Sequence, residues 1–256
     1  MPTPNPVAFT VFNIEVRWYG ILIAVALVLA LALACKRSER YGVKQDDVLD
    51  FFLFLTPAII VGARLYYVIF EWDYYSAHPS EIIAVWHGGL AIHGGIIAGV
   101  IVGIILCYVK KISFFTLADV VIPGLPLGQA IGRWGNYFNQ EAHGVVTNLP
   151  WAITVHDPVM GVVKVHPTFL YESVWDLLVF VLVLVYEKKW KKQNGELLFL
   201  YLILYSLGRF FIEGLRTDSL MFLGLRTAQF VSLVFIAVGT AGLYWLRKKS
   251  VQLPKA

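Results

Sequence analysis

The chain has 256 residues, of which 58% are hydrophobic and only 15% charged, against roughly 45–50% apolar and about 25% charged in soluble domains. One aqueous core in a chain of this length cannot take up that much apolar surface, so lipid is the expected surrounding. The net charge of +4 would suit nucleic acid, but the placement of the charges along the chain argues for no nucleic acid partner.

Seven apolar stretches approach the ~20 residues that cross a hydrocarbon core: 18–35, 51–70, 89–109, 112–131, 169–186, 197–212 and 227–246. The first, third and seventh contain no Asp, Glu, Lys or Arg. Asp119, Pro123 and Pro126 interrupt the fourth, the fifth carries Glu172 and Asp176, and the sixth carries Arg209. Basic residues collect after alternate stretches: Lys36, Arg37, Arg40 and Lys44; Lys110 and Lys111; Lys188, Lys189, Lys191 and Lys192; then Arg247, Lys248, Lys249 and Lys255. Positive loops stay in the cytoplasm. The expected fold is therefore an all-α integral membrane protein, a single polytopic domain over 1–256 with seven transmembrane helices, the N-terminus outside and the C-terminus inside. The remaining cations are Arg17, Arg64, Arg133, Lys164, Arg209, Arg216 and Arg226, nearly all Arg, the planar residue suited to phosphate or carboxylate. Cys35 and Cys107 fall at cytoplasmic helix ends, where no structural disulfide is expected.

On this topology all six His lie on or near the outer face. The longest irregular segment, 132–166, is also outside. Its Gly, Asn and Pro content predicts a small extracytoplasmic cap rather than a long helix, with short strands, one of them at 151–156. The loop 71–87 is expected to hold a short helix along the interface. Intramembrane charge usually faces the bundle interior and marks function. Arg209 and Glu213, spaced i, i+4, share a helix face as a possible pair. Arg64 sits a turn or two inside its helix end, within reach of the interface by snorkelling.

Two His-Gly-Gly triplets, starting at His87 and His93, bring proton-carrying side chains beside glycines that permit close backbone approach. No His-Glu-x-x-His pattern or cysteine pair accompanies them, so no metal is expected. The densest polar cluster, Gly132-Arg133-Trp134-Gly135-Asn136-Tyr137-Phe138-Asn139-Gln140-Glu141-Ala142-His143-Gly144, combines Arg with amide and backbone donors. As chemistry it reads as an anion site at the outer interface.

The same run resembles the Gly-Arg-x-Gly-Asn-(Phe/Tyr)-x-Asn-x-Glu-x-x-Gly signature of the prolipoprotein diacylglyceryl transferase family. Further matches follow in order: Trp18-Tyr19-Gly20, His93-Gly94-Gly95, Asp119, His166-Pro167-Thr168-Phe169-Leu170-Tyr171-Glu172, and the block from Tyr205 through Arg209 and Glu213 to Arg216. Phe169 departs from the family, where Gln is common. The resemblance implies a bacterial plasma-membrane enzyme that transfers diacylglyceryl from phosphatidylglycerol to the lipobox cysteine of preprolipoprotein signal peptides and releases glycerol phosphate. It implies that Arg133, Asn136 and Gly144 are signature residues and that Tyr19, His93, Tyr205 and Arg209 occupy other functional positions.

In such a reaction Arg133 and Arg209 would hold the phosphate, and His93 would accept the thiol proton. Asn136, Asn139 and Glu141 would orient headgroup and backbone, with Tyr19 and Tyr205 lining the pocket; His166 and Glu213 complete the expected site. No nucleotide-binding loop is present and no cofactor is expected. A receptor or a transporter would also place polar residues in a bundle, although no repeated halves are visible. A lipid sensor that binds without turnover would carry the same charges.

Overall fold

In lipid every backbone N–H and C=O must be satisfied within the segment, so long apolar runs become helices. The computed structural model describes residues 4–157, 161–217, 221, 222 and 224–252. A hairpin, β1 (Val7–Val11) and β2 (Ile14–Arg17), leads into α1 (Trp18–Ser38). Its two-residue turn, Phe12 and Asn13, has both φ angles positive, as a tightly twisted hairpin requires. Then come α2 (Gln45–Phe70), the short α3 (Trp72–Ala77), α4 (Ile92–Lys110), α5 (Phe114–Val121) and α6 (Gly124–Asn139). A second hairpin, β3 (Ile153–Asp157) and β4 (Gly161–Val165), precedes α7 (Thr168–Lys189) and α8 (Glu196–Glu213). A third, β5 (Met221–Phe222) and β6 (Leu225–Arg226), leads into α9 (Thr227–Gln252).

The protein is an all-α, multi-pass membrane protein. Among the described residues α1, α2, α4, α7 and α9 are each long and apolar enough to cross a membrane, and α5 with α6, bent by 41°, gives a sixth span if counted as one. The bend falls at Pro123, which has no N–H to continue the helix. Val28, Leu53, Ile69 and Ile104 are each more than half exposed, which suits a surface facing lipid. The expected irregular segment 132–166 begins later than the composition indicates, because residues 132–139 are the last two turns of α6. The strand expected at 151–156 is β3, displaced by one or two residues.

Helix formation through the glycines of α6 has a packing cause. A Cβ on Gly124, Gly128, Gly132 or Gly135 would meet, in turn, Ala30, Ala26, Ile23 and Tyr19 of α1. The descending partner numbers describe an antiparallel seam of small residues, the kind of close approach that holds helices together in lipid. At its end Trp18 stacks on Phe138 with ring centroids 5.2 Å apart.

The chain forms two compact units, Cys35–Leu117 and the remainder, Met1–Ala34 with Ala118–Ala256. In the larger unit, α6 is tied to α7 by Ser173, whose Oγ donates to the Ala130 carbonyl (2.7 Å) and accepts from Trp134 Nε1 (3.2 Å). Trp175 of α7 donates to the Leu204 carbonyl of α8 at 2.9 Å and lies where a Cβ on Gly208 would be. Ile122, Val179, Val183, Leu197 and Tyr201 form the core between them. Toward the α8 N-terminus, fully buried Asp119 accepts from the backbone N–H groups of Gly195 (2.8 Å) and Leu197 (3.1 Å) and pairs with Lys191 at 3.1 Å. It thereby satisfies donors that the first turn of a helix leaves open. Beside it, buried Glu196 accepts from Tyr186 Oη (2.7 Å) and the Gln193 N–H (3.2 Å).

The smaller unit pairs α2 with α4. Gly62 and Gly94 face each other so closely that a Cβ on Gly94 would run into the Gly62 carbonyl and Tyr66. At the other end of α4, Lys110 joins Asp47 (2.9 Å) and Asp50 at the start of α2.

Candidate active site

Three helices and the segment after α8 bring their charges to one place in the larger unit. Glu172, in the second turn of α7, is 4% exposed. Its Oε2 pairs with Arg133 of α6. Its Oε1 accepts from Arg209 of α8 at 2.7 Å and from Arg216 at 3.4 Å. Arg209 turns its other nitrogen to Glu213 Oε2 at 2.5 Å, and Arg216 Nε lies 3.9 Å from the same oxygen. Arg226 donates to the carbonyls of Glu213 and Arg216, fixing the chain as it leaves α8. The expected i, i+4 pair is therefore present as one edge of a larger network. Tyr205, one turn before Arg209, stacks on Tyr201 at 5.5 Å and lies within electrostatic reach of Arg133 and Arg209.

Three guanidiniums present about fifteen N–H donors to two carboxylates with about eight lone-pair positions between them. A cluster of guanidiniums largely shielded from solvent can hold an anion. Asp176, one turn along α7 from Glu172, is also buried.

The signature loop closes over the same end. Helix α6 stops at Gln140, whose φ of 55° is left-handed. Glu141 Oε1 then accepts from the side-chain amides of Asn136 (2.9 Å) and Asn139 (3.3 Å), so one carboxylate orients both. Gly144 donates to the His166 carbonyl at 3.0 Å and forms a bridge with Arg216. A Cβ there would lie 2.7 Å from that of His166 and 3.0 Å from the Leu215 carbonyl. The lack of a side chain there lets the loop reach Arg216. His166 faces Tyr171 Oη at 3.2 Å, and that hydroxyl accepts from Trp151 at 2.7 Å. Tyr19 lies against Gly135, where no side chain would fit.

Arg133, Tyr205, Arg209 and Glu213 are thus brought together, while Tyr19, Asn136, Asn139, Glu141, Gly144 and His166 belong to the adjoining loop and helix ends. His93 belongs to the smaller unit. It is the second residue of α4, exposed, with its ring 6.1 Å from Tyr66. The side chain of His87 lies outside the described residues. Sequence reasoning did not select Glu172 or Arg216 as site residues, although a carboxylate inside an apolar stretch was the available signal.

Arg64 departs from expectation. It does not snorkel: it is 5% exposed and donates to the carbonyls of Glu81 (2.6 Å), Ile82 (2.9 Å), Gly88 (2.7 Å) and Gly89 (3.0 Å), with Tyr75 beneath it at 5.0 Å. Nearby, the Tyr74 hydroxyl donates to Glu81 Oε2 at 3.0 Å, which raises its pKa. A forked cation organising the chain before α4 has no lysine equivalent. Arg64→Lys is expected to cost about 2 kcal/mol or more and to raise hydrogen exchange across residues 81–89. Unchanged exchange there would show the fork to be dispensable.

An apolar bundle with a buried arginine–carboxylate cluster at one helix end defines a multi-pass membrane protein with concentrated charge inside it. Residues 6–245 match the family model for prolipoprotein diacylglyceryl transferase. The phosphatidylglycerol–prolipoprotein diacylglyceryl transferase of Clostridioides difficile is 50% identical over 244 residues, covering 95% of this chain and 96% of the relative. Those of Finegoldia magna (50% over 233 residues, 91% and 92% covered) and Acaryochloris marina (47% over 258 residues, 98% and 94% covered) are similar throughout. The chain belongs to the prolipoprotein diacylglyceryl transferase family and is a transferase.

Proposed function

We propose that the protein transfers the diacylglyceryl group of phosphatidylglycerol to the lipobox cysteine thiol of preprolipoproteins, at the outer face of a bacterial plasma membrane. The observation that carries this reading is the convergence of Arg133, Arg209 and Arg216 on Glu172. Sulfur attacks the glycerol carbon, a thioether forms, and the carbon–oxygen bond breaks with its electron pair passing to the phosphate. The phosphate goes from one negative charge toward two as it departs with the headgroup glycerol. Preplaced guanidiniums stabilise the second charge more than the first, which lowers the barrier. The thiol attacks as thiolate, so a base must accept its proton, and His93 is the candidate that the sequence offers for that role. With their NH₂ groups on Glu141, Asn136 and Asn139 keep their amide oxygens for donors on headgroup or peptide.

Lipid labelled separately in headgroup, phosphorus and acyl chains, supplied to purified protein with a lipobox peptide, tests the reaction. Both chains and their glycerol are expected on the cysteine, stable to mild base, with phosphorus leaving on the headgroup. Transfer of a single acyl chain, or of phosphorus, would defeat the reading. His93→Gln should turn over slowly and recover in part at high pH, where the substrate thiol ionises unaided; equal loss at every pH would remove His93 as the base.

Seven spans follow when α5 with α6 counts as one and α8 as another. The basic residues at the ends of α1, α4, α7 and α9 support an outside N-terminus and an inside C-terminus. In intact cells an impermeant thiol reagent should spare Cys35 and Cys107 and label a cysteine placed at Ala142. Labelling of a cysteine at Lys248 from outside would reverse the orientation.

A further inference from the structure

The hairpin of β1 and β2 carries an apolar face that the fold leaves bare. Cross-strand partners share a face, and the register opposes Phe9 to Val16 and Val11 to Ile14. Phe9, Val11 and Ile14 are exposed, and Phe12 in the turn is 96% exposed. Thr10 and its partner Glu15 lie on the other face with Arg17, which pairs with Glu15 at 3.6 Å. The turn is strained for its sequence. Both of its residues have positive φ, which Asn13 tolerates and the bulkier Phe12 does not. A large side chain kept in a strained position at a bare tip points to a contact beyond the fold.

Its place in the chain decides what can cover this face. Arg17 is followed directly by Trp18, the first residue of α1, and the Trp18 N–H donates to the Pro6 carbonyl at 3.0 Å. Both ends of the hairpin are therefore fastened to the start of a membrane-spanning helix. Tryptophan at a helix end belongs to the membrane–water interface, and the apolar surface continues along α1 through the exposed Ile23, Val25 and Val28. A five-residue strand reaches only about 17 Å, so the bare face begins where α1 leaves the hydrocarbon core. Its four large side chains offer on the order of a few hundred Å², against roughly 800 Å² per partner in a stable protein complex. That is too little to hold a second copy of the chain, but enough to enter lipid, with the Glu15–Arg17 pair turned toward water. We propose that the β1–β2 hairpin docks on the bilayer surface, with Phe9, Val11, Ile14 and the Phe12 tip set among the headgroups and the upper acyl carbons.

Full-length protein in phosphatidylcholine vesicles tests it, a lipid chosen so that contact with the surface is read apart from use of a donor lipid. A fluorophore is attached at the tip through Phe12→Cys, or on the polar face through Thr10→Cys, with Cys35→Ala and Cys107→Ala in both. Spin-labelled lipid, with the label near the top of the acyl chain, should quench position 12 at least about threefold more strongly than aqueous iodide does. At position 10 the order should reverse. Ile14→Glu puts a charge into the apolar face and should at least about halve the lipid quenching at position 12. Phe9→Glu repeats that test at the far end of the same face, away from the turn. Strong iodide quenching at both positions, or lipid quenching untouched by either Glu substitution, would overturn the proposal. So would shielding of position 12 from both quenchers that deepens with protein density in the vesicle, the mark of a second copy on this face.

Discussion

Glu172→Gln is expected to reduce transfer by at least about 100-fold and to lower the unfolding temperature. The substitution keeps the size of the side chain and removes the charge on which Arg133, Arg209 and Arg216 converge. Arg209 and Arg216 would keep Glu213, while Arg133 would lose the carboxylate it pairs with. Removing one partner from a buried ionic cluster typically costs about 3–5 kcal/mol, because the charge left behind has no water to return to. The guanidiniums would splay apart, and an anion placed among them would lose its aligned donors. Transfer assays and thermal unfolding in the same detergent measure both effects. The double substitution Glu172→Gln with Arg216→Gln should regain part of the stability, since it withdraws a surplus cation, without regaining activity. Near-normal turnover in Glu172→Gln would show that the arginines need no common anchor.

Arg133→Ala should lower kcat by about 10²–10³-fold, the usual loss on removing one preorganised donor to a developing negative charge. Substrate affinity should change less, because the donor acts mainly on charge that appears in the transition state. Arg209→Lys keeps a positive charge but gives up the fork that spans Glu172 and Glu213, and most activity should be lost with it. Insertion and expression serve as the control for both. A loss below about tenfold in Arg133→Ala would mean that the leaving group is stabilised elsewhere.

Much of this was legible in the residues. Apolar stretches free of charge became α1, α4 and α9, because nothing but a helix satisfies the backbone in lipid. Where the reading slipped, a tertiary contact had outweighed local composition. The glycines of 132–135 looked like a loop, yet they continue α6 because α1 fits against them. Arg64 looked like a snorkelling side chain, because the four carbonyls it holds belong to residues 17 to 25 positions downstream. The charged cluster around Glu172 was legible in some of its members and not in its wiring. Arg133, Arg209 and Glu213 stood out as charge in or beside apolar sequence, whereas Glu172 showed only as a charge in the fifth stretch and as the end of the run from His166. Its part emerges only when α6, α7 and α8 pack and positions 133, 172, 209 and 216 meet.

Asp119 and Glu196 hold the start of α8 against the end of α7, while Glu172 joins the start of α7 to the end of α8. From Glu172 to Lys189 is about 25 Å of helix, so the two helices are fastened at both ends of nearly their whole length and cannot slide past one another. A bilayer thicker or thinner than their apolar length must then be met by tilting them together, or by stretching and compressing the lipid around them. The distance from Glu172 to Arg209 is thereby insulated from the thickness of the surrounding membrane.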